Sequence, residues 1–187
     1  MRYHSIVLAL LACMLFYLLI SETDDVSFTS LEGSSVNQAF DYYMSSVDST
    51  RFSPEGESEY RLQAERIVHY PSPEYATIDL PRLVIFEGQT SPWFLSAAYG
   101  TIEQDLERSE DRLDLSENVI VQHTDAQGQV YNIYTDKLTI YLDSRYLTTD
   151  SEVLLESSNR EISSLGMTAD LATRHITFLS DVRGRYE

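Results

Sequence analysis

Apolar and polar residues alternate along most of the chain from residue 60 onward, and this period of two constrains the fold more than any other feature. In residues 137–143, for example, Leu138, Ile140 and Leu142 take every second position. Successive side chains of a β-strand point to opposite faces, so such stretches predict strands with one buried face. Short strands spaced about 8–12 residues apart are typical of a sandwich, a jellyroll or an open barrel. The sequence therefore predicts an all-β fold.

The same alternation predicts which side chains share the inner face of the sheets. These residues are Tyr60, Leu62, Ala64, Leu83, Ile85, Trp93, Leu95, Leu113, Leu115, Val119, Val121, Ile133, Leu138, Ile140, Leu142, Ile176 and Phe178. Two interpretations stay open, because a filled core and an open apolar groove have the same lining.

One stretch offers an alternative to strands. Residues 96–112 could form a helix, since Ile102 and Leu106 are four residues apart, but the stretch is short and polar. Helices that could cover a sheet are otherwise missing from the pattern, which disfavours α/β enzyme folds. Gly56 and Gly166 lie beside predicted strands, where a turn or a bulge with positive φ is the ordinary reason for glycine.

An apolar run near the N-terminus indicates how the chain meets a membrane. Residues 6–20 are apolar without interruption, with Arg2 before them and acidic residues, beginning with Glu22, after them. A spanning helix needs about 17–25 residues, so the run suffices if its ends reach the interface. The charges predict a cytoplasmic N-terminus and an exported remainder. A cleaved signal peptide and lipoprotein processing at Cys13 are weaker alternatives, since no small-residue cleavage site follows and the run continues past Cys13.

Three segments follow from this pattern. Residues 1–21 are expected to form a cytoplasmic tip and transmembrane anchor, and residues 22–50, rich in Ser, Thr and acids, an extended tether. Residues 51–187 are expected to form the exported domain. A small apolar cluster within the tether, Phe40 with Tyr42, Tyr43 and Met44, is a point at which the domain could begin.

The composition argues against several kinds of chemistry. The chain has 13 basic and 30 acidic residues and a net charge of −17, with Lys137 as its only lysine, which argues against a polyphosphate partner such as nucleic acid. One cysteine rules out internal disulfides and thiolate metal sites. The four histidines lack metal-ligand spacing, and neither a nucleophile elbow nor a phosphate loop occurs. We expect no catalytic residues, no metal and no cofactor.

The order of short motifs along the chain carries a more specific signal. The motifs are residues 51–70, Leu80–Leu83, Pro92–Ala97, Leu113–Leu115 with Asn118–Val119, Ile133–Asp136 with Leu138, Ser164–Met167, and Leu179–Tyr186. Each is weak alone, but together with the N-terminal run their succession resembles the LptC family, the bitopic inner-membrane component of the lipopolysaccharide export system.

That resemblance implies a twisted, open β-jellyroll of two antiparallel sheets in the periplasm, preceded by one transmembrane helix in the inner membrane. It implies lipopolysaccharide as cargo, received from the LptB, LptF and LptG transporter and passed to LptA through the C-terminal edge strand. It also implies that Gly56 and Gly166 are positions at which a bulky side chain would spoil an assembly surface, and that the protein is not an enzyme.

Two other functions remain open from the residues themselves. An anchored β-sandwich with a solid core could act as a scaffold that binds only proteins. An exported hydrolase that uses an Asp/Glu pair is less favoured, because the motifs above are missing, although a carboxylate pair leaves no recognisable sequence signature.

Overall fold

The computed structural model describes residues 40–88 and 91–186, in which all regular secondary structure is β. The strands are β1 (Tyr42–Phe52), β2 (Ser58–Pro71), β3 (Glu74–Asp79), β4 (Arg82–Ile85), β5 (Trp93–Ser96), β6 (Tyr99–Asp105), β7 (Glu110–Thr124), β8 (Val130–Tyr141), β9 (Tyr146–Ser157), β10 (Arg160–Asp170) and β11 (His175–Tyr186). The predicted all-β class is confirmed. Residues 96–112, for which a helix was the alternative, contain β6 and the beginning of β7.

The strands form one antiparallel sheet, so the expected division into two sheets is wrong. The order is β11-β10-β9-β8-β7-β5-β4-β2-β3-β6, with β1 paired to β2 and β6 also paired to β7. The ladder is continuous because β4 pairs with β5 and β3 pairs with β6, which joins the first strands of the chain to the last. Alternation along single strands cannot reveal this, since two packed sheets and one folded sheet bury the same faces.

Two pairs of short strands are halves of longer ones. β3 and β4 pair with the same edge of β2 in an unchanged register, and the interruption lies at Leu80 and Pro81. β5 and β6 also share one edge of β7, with their interruption at Ala97 and Ala98, but here the register shifts by one residue between the two strands. Proline has no N–H for the ladder, which gives a physical reason for the first break.

Contacts between distant strands show that the sheet folds over on itself. Arg51 of β1 lies 3.2 Å from Asp143, in the turn after β8, and 3.7 Å from Asp111 of β7. In a flat sheet β1 and β8 would be about 24 Å apart, at about 4.8 Å between neighbouring strands. Arg174, between β10 and β11, similarly lies 3.8 Å from Glu87 after β4. The apolar face is therefore enclosed by the sheet's own strands.

A line of backbone irregularities, which we call the crease, crosses the whole sheet. It comprises Ser46, Leu80–Pro81, Ala97–Ala98, Glu117–Asn118, Asp136–Lys137, Leu165–Gly166 and Asp181. Hydrogen bonds link its central members: Leu80 N donates to Ala98 O at 2.9 Å, and Ala98 N donates to Glu117 O at 2.9 Å. Bulges bend strands and increase their twist. Because these irregularities follow one another across the sheet, with only β2 and β9 contributing none of those named, the bends act together on the sheet.

The first strand begins inside the segment expected to be a tether. β1 starts at Tyr42, and its register with β2 runs from Tyr42 opposite His69 to Phe52 opposite Ser58. Residues 42–50 are therefore part of the sheet, which agrees with the apolar cluster at residues 40–44 as the point of entry. The predicted anchor and the first part of the predicted tether lie outside the described residues.

Candidate functional site

The inner face of the folded sheet is the surface on which the predicted residues meet. Thirteen of the seventeen are buried: Ala64, Leu83, Ile85, Trp93, Leu95, Leu113, Leu115, Val119, Val121, Ile133, Leu138, Ile140 and Leu142. The other four are half-buried and pack against the same core: Tyr60, Leu62, Ile176 and Phe178. The structure thus places all of them on one apolar face, while their role in binding lipid stays a prediction.

Sequence reasoning missed ten buried members of this core. They are Ile67, Ala76, Ile78, Ala97, Leu147, Val153, Leu155, Met167, Ala169 and Leu171. A signal was present in β9, where Leu147, Thr149, Val153 and Leu155 are buried two or four residues apart. The pattern was harder to read in β10, because the bulge at Leu165–Gly166 changes which residues point inward.

The core is filled at its centre and becomes accessible toward its edges. Ile140 and Met167 are 0% exposed. The half-buried apolar residues that touch the core instead concentrate on the outermost strands, with Val47, Tyr60 and Leu62 on β1–β2 and Ile162, Ile176 and Phe178 on β10–β11. An apolar ligand would therefore meet this face first along the sheet edges.

Two buried hydroxyl groups of the inner face are satisfied by backbone carbonyls at the crease. Thr149 donates its hydroxyl to the Lys137 carbonyl at 2.6 Å, and Ser164 donates its hydroxyl to the Gly166 carbonyl at 3.0 Å. A bulge leaves ladder carbonyls without their usual partners, and a buried unpaired carbonyl costs about 1–3 kcal/mol. These hydroxyls therefore lower the free-energy cost of burying the crease carbonyls in the core.

One end of the face is closed by an aromatic pair. The Trp93 indole stacks on the His123 imidazole with ring centroids 4.1 Å apart and planes inclined by 15°. The two residues are directly opposite each other on β5 and β7, which explains their contact. His123 Nδ1 lies 3.4 Å from the carbonyl oxygen of Pro92. This pair packs the core wall, and its position gives no reason to assign it chemistry.

The two predicted glycines lie in different settings. Gly56, in the turn between β1 and β2, has φ +87° and nothing within 4 Å of where a Cβ would lie. Gly166, in the crease, has φ +80°, and a Cβ there would lie 2.9 Å from Leu179 Cδ1 on β11. Both therefore need glycine for their backbone, and Gly166 also allows the edge strand to approach. These local contacts do not test the predicted effect of the two glycines on assembly, which stays a prediction.

The sheet presents two edges. β11 is at one end of the strand order, and β1, which pairs only with β2, is at the other. β11 carries the exposed apolar residues Leu179, Val182 and Tyr186, and β1 carries Tyr42, Tyr43 and Met44. An unpaired edge offers N–H and C=O groups to an added strand, and apolar side chains beside it favour such pairing.

Within residues 40–88 and 91–186, His, Asp and Glu side chains nowhere gather in threes in a way that could hold a metal ion. In the same ranges no helix has the length and hydropathy to cross a membrane. The predicted anchor at residues 6–20 is not part of those ranges.

Comparison with known proteins gives a consistent result. The family model described as "Lipopolysaccharide-assembly, LptC-related" matches residues 6–187. The chain is 24% identical over 199 aligned residues to the lipopolysaccharide export system protein LptC of Haemophilus influenzae, covering 97% of this chain and 91% of the relative. It is 25% identical to the proteins of that name from Escherichia coli K12 and Shigella flexneri, covering 100% of this chain and 93% of each relative.

Proposed function

The chain belongs to the LptC-related lipopolysaccharide-assembly family, and from this premise we propose that it carries lipopolysaccharide from the inner toward the outer membrane without catalysing a reaction. The observation that carries the proposal is the continuous apolar inner face, which becomes accessible at the edges of the sheet. Exposing each CH₂ group of an acyl chain to water costs about 0.8 kcal/mol, so a lipid crossing an aqueous compartment needs such a lining.

The partners in this proposal follow the order of the family. The LptB, LptF and LptG transporter delivers the lipid, and LptA receives it after adding a strand at β11. The unpaired edge of β11, with Leu179 and Val182 about half exposed, supports the second step. We assign the transporter to the opposite edge at β1, where Tyr42, Tyr43 and Met44 are exposed.

The location in this proposal depends on the N-terminal run. Residues 6–20 anchor the protein in the inner membrane by one helix, with the N-terminus in the cytoplasm and the β-sheet in the periplasm. The support is the apolar run with Arg2 before it and acids after it. This places the sheet on the side where a lipid leaving the inner membrane would be received.

The lipid is held mainly by its acyl chains. The protein has a net charge of −17 and repels the phosphates of the lipid, so those phosphates face solvent or divalent ions. Capture of purified lipopolysaccharide should therefore change little between low and high salt, since apolar contacts are not screened. A steep loss of captured lipid at high salt would contradict this mode of binding.

Site-specific photo-crosslinking in cells tests the cargo. A photoreactive amino acid replaces Ile140, which is inward and buried, or Tyr141, which points outward from the same strand. A second matched pair is Phe178, inward and half-buried, and its outward neighbour Leu179. Lipopolysaccharide adducts are expected at positions 140 and 178 and not at 141 or 179. Equal labelling of both faces, or none in folded protein, would refute the proposal.

A scaffold that binds only proteins is the second candidate function. The observation that favours it is the filled centre of the core, where Ile140 is 0% exposed. Its expected result in the same experiment is protein adducts at the edges without lipid adducts at any inward position. Labelling at position 178 alone would instead indicate a carrier that holds lipid only along the edge.

A further inference from the structure

A groove of about 790 Å³ lies on the outer face of the sheet, where the crease crosses β7 to β11. Its floor is one row of cross-strand neighbours: Ile120 opposite Tyr134, Tyr134 opposite Leu154, Leu154 opposite Ser163, and Ser163 opposite Arg183. These side chains point away from the apolar core. An occupant of the groove would therefore leave the inner face free for a different ligand.

The floor is more apolar than an ordinary solvated sheet face. Ile120 is 38% exposed, and Leu165, which also lines the groove, is 44% exposed. Tyr134 and Leu154 are half-buried between them. The row crosses five strands, which corresponds to about 19 Å at about 4.8 Å per strand. That length matches an extended peptide of about six residues, at about 3.3 Å each.

The rim of the groove is acidic and lacks neutralising partners. Asp136, Glu152 and Asp181 line it, all exposed, and Arg183 is the one basic side chain among its lining residues. In the part of the chain that the structure describes, none of these four takes part in an ion pair within 4.0 Å. The local field is therefore negative, and it favours a cationic occupant over an anionic one.

We propose that this groove docks an extended segment of a partner protein that carries basic residues beside apolar ones. The apolar side chains of the segment cover Ile120, Tyr134 and Leu154, while its Lys or Arg side chains meet the carboxylates of Asp136 and Glu152. Lipid phosphates are disfavoured by the same carboxylates, so the groove is a peptide site and not a second lipid site. The partner bound there is distinct from one that adds a strand at the edge of β11.

The experiment uses the full-length chain in phosphatidylcholine nanodiscs, which carry no net charge. The probe is an acetylated, amidated pentapeptide Arg-Leu-Arg-Leu-Arg in which the first leucine is the diazirine photo-leucine. The matched peptide has Glu in place of each Arg. After irradiation, adducts are mapped by peptide mass spectrometry. We expect the basic peptide to label residues around Ile120, Tyr134 and Leu154, and the acidic peptide to label this groove at least fivefold less.

Two double variants of equal charge separate the groove from the general acidity of the chain. Asp136→Asn with Glu152→Gln removes two rim charges, and Glu65→Gln with Glu74→Gln removes two exposed charges on β2 and β3, outside the groove. Labelling of the groove should fall about fivefold in the first variant and less than twofold in the second. Both changes are nearly isosteric, and the acidic peptide tests the charge preference without any variant.

The remaining outcomes would overturn the proposal. They are an equal loss of labelling in both double variants, adducts mainly at β1 or β11 instead of the groove, or no preference for the basic peptide. A further test uses a variant of the protein that carries photo-leucine at position 154. The proposal is also overturned if this residue crosslinks to lipopolysaccharide in micelles as strongly as the basic peptide labels the groove. That result would make the groove a lipid surface.

Discussion

Single residues in this fold differ in what they demand of the backbone, and the two glycines show the difference. Gly56→Ala places a Cβ in open space, so it should cost only the strain of a positive φ, about 1 kcal/mol. Gly166→Ala carries the same strain and also a 2.9 Å contact with Leu179 Cδ1, so its loss of unfolding free energy should be larger. Urea unfolding measures both values.

Removing the contact provides the control for Gly166. In a Gly166→Ala background, Leu179→Ala should recover the part of the loss that comes from the collision, and none of the part that comes from φ. Equal losses at the two glycines, or no recovery, would mean that the contact with Leu179 is not the cause. Gly166→Arg then tests the predicted effect on assembly, by measuring capture of LptA and of the transporter separately in folded protein.

An acidic residue on β1 makes the outermost strand sensitive to pH. Hydrogen bonds from Arg61 and Gln63 lower the pKa of Asp48 from its usual 3.8 to about 2. Because the pKa is lower in the folded state, Asp48 stabilises the β1–β2 pairing above about pH 4, and this contribution is lost as the pH falls toward 2.

Hydrogen exchange of the β1 amides measures this effect. Between pH 4 and pH 2, protection in β1 should fall more in the unmodified protein than in Asp48→Asn, which has no such proton to bind. Glu65→Gln, an exposed neutral substitution on β2, should follow the unmodified protein. Parallel profiles for all three would contradict the role of Asp48.

Among the elements, β7 shows how the crease is built into a strand. Glu117 and Asn118 have φ of 62° and 55°, and the register shifts between Ser116 and Val119. A β-branched residue strongly disfavours positive φ, so Glu117→Val should lower the unfolding free energy by about 1–3 kcal/mol. Gln122→Val, at an exposed position of the same strand, should be nearly neutral. Chemical unfolding compares the two, and equal effects would contradict the expectation.

Elements also differ in how visible they are in the sequence. On either side of the crease, β7 and β8 bury alternate residues on one face, so their period of two is plain. β1 is an edge strand that is exposed on both faces over most of its length, with only Val47 and Thr50 half-buried. A strand that buries neither face needs no alternation of apolar and polar residues. The sequence therefore predicts that residues 42–50 belong to the tether.

At the scale of the whole molecule, the filled centre and the accessible edges should separate stability from binding. Ile140→Ala removes buried volume at the centre and should cost about 2–5 kcal/mol of unfolding free energy. Phe178→Ala, at a half-buried position on β11, should cost less and should reduce lipid capture more. Urea unfolding and the photo-crosslinking assay give the two values. The separation would be contradicted if Phe178→Ala lowered the unfolding free energy as much as Ile140→Ala and still captured lipid normally.

The sequence by itself determined the all-β class and the inward direction of all seventeen predicted residues, because the alternation of side chains is a local property of a strand. Tertiary structure alone decided that the strands form one sheet, that Arg51 meets Asp111 and Asp143 across the fold, and that irregularities at seven sites along the sheet align into a crease. Those features depend on which strand lies beside which and in what register. Pairing between distant segments leaves no periodic trace in either segment, so only the folded chain shows where the apolar face closes and where it remains accessible.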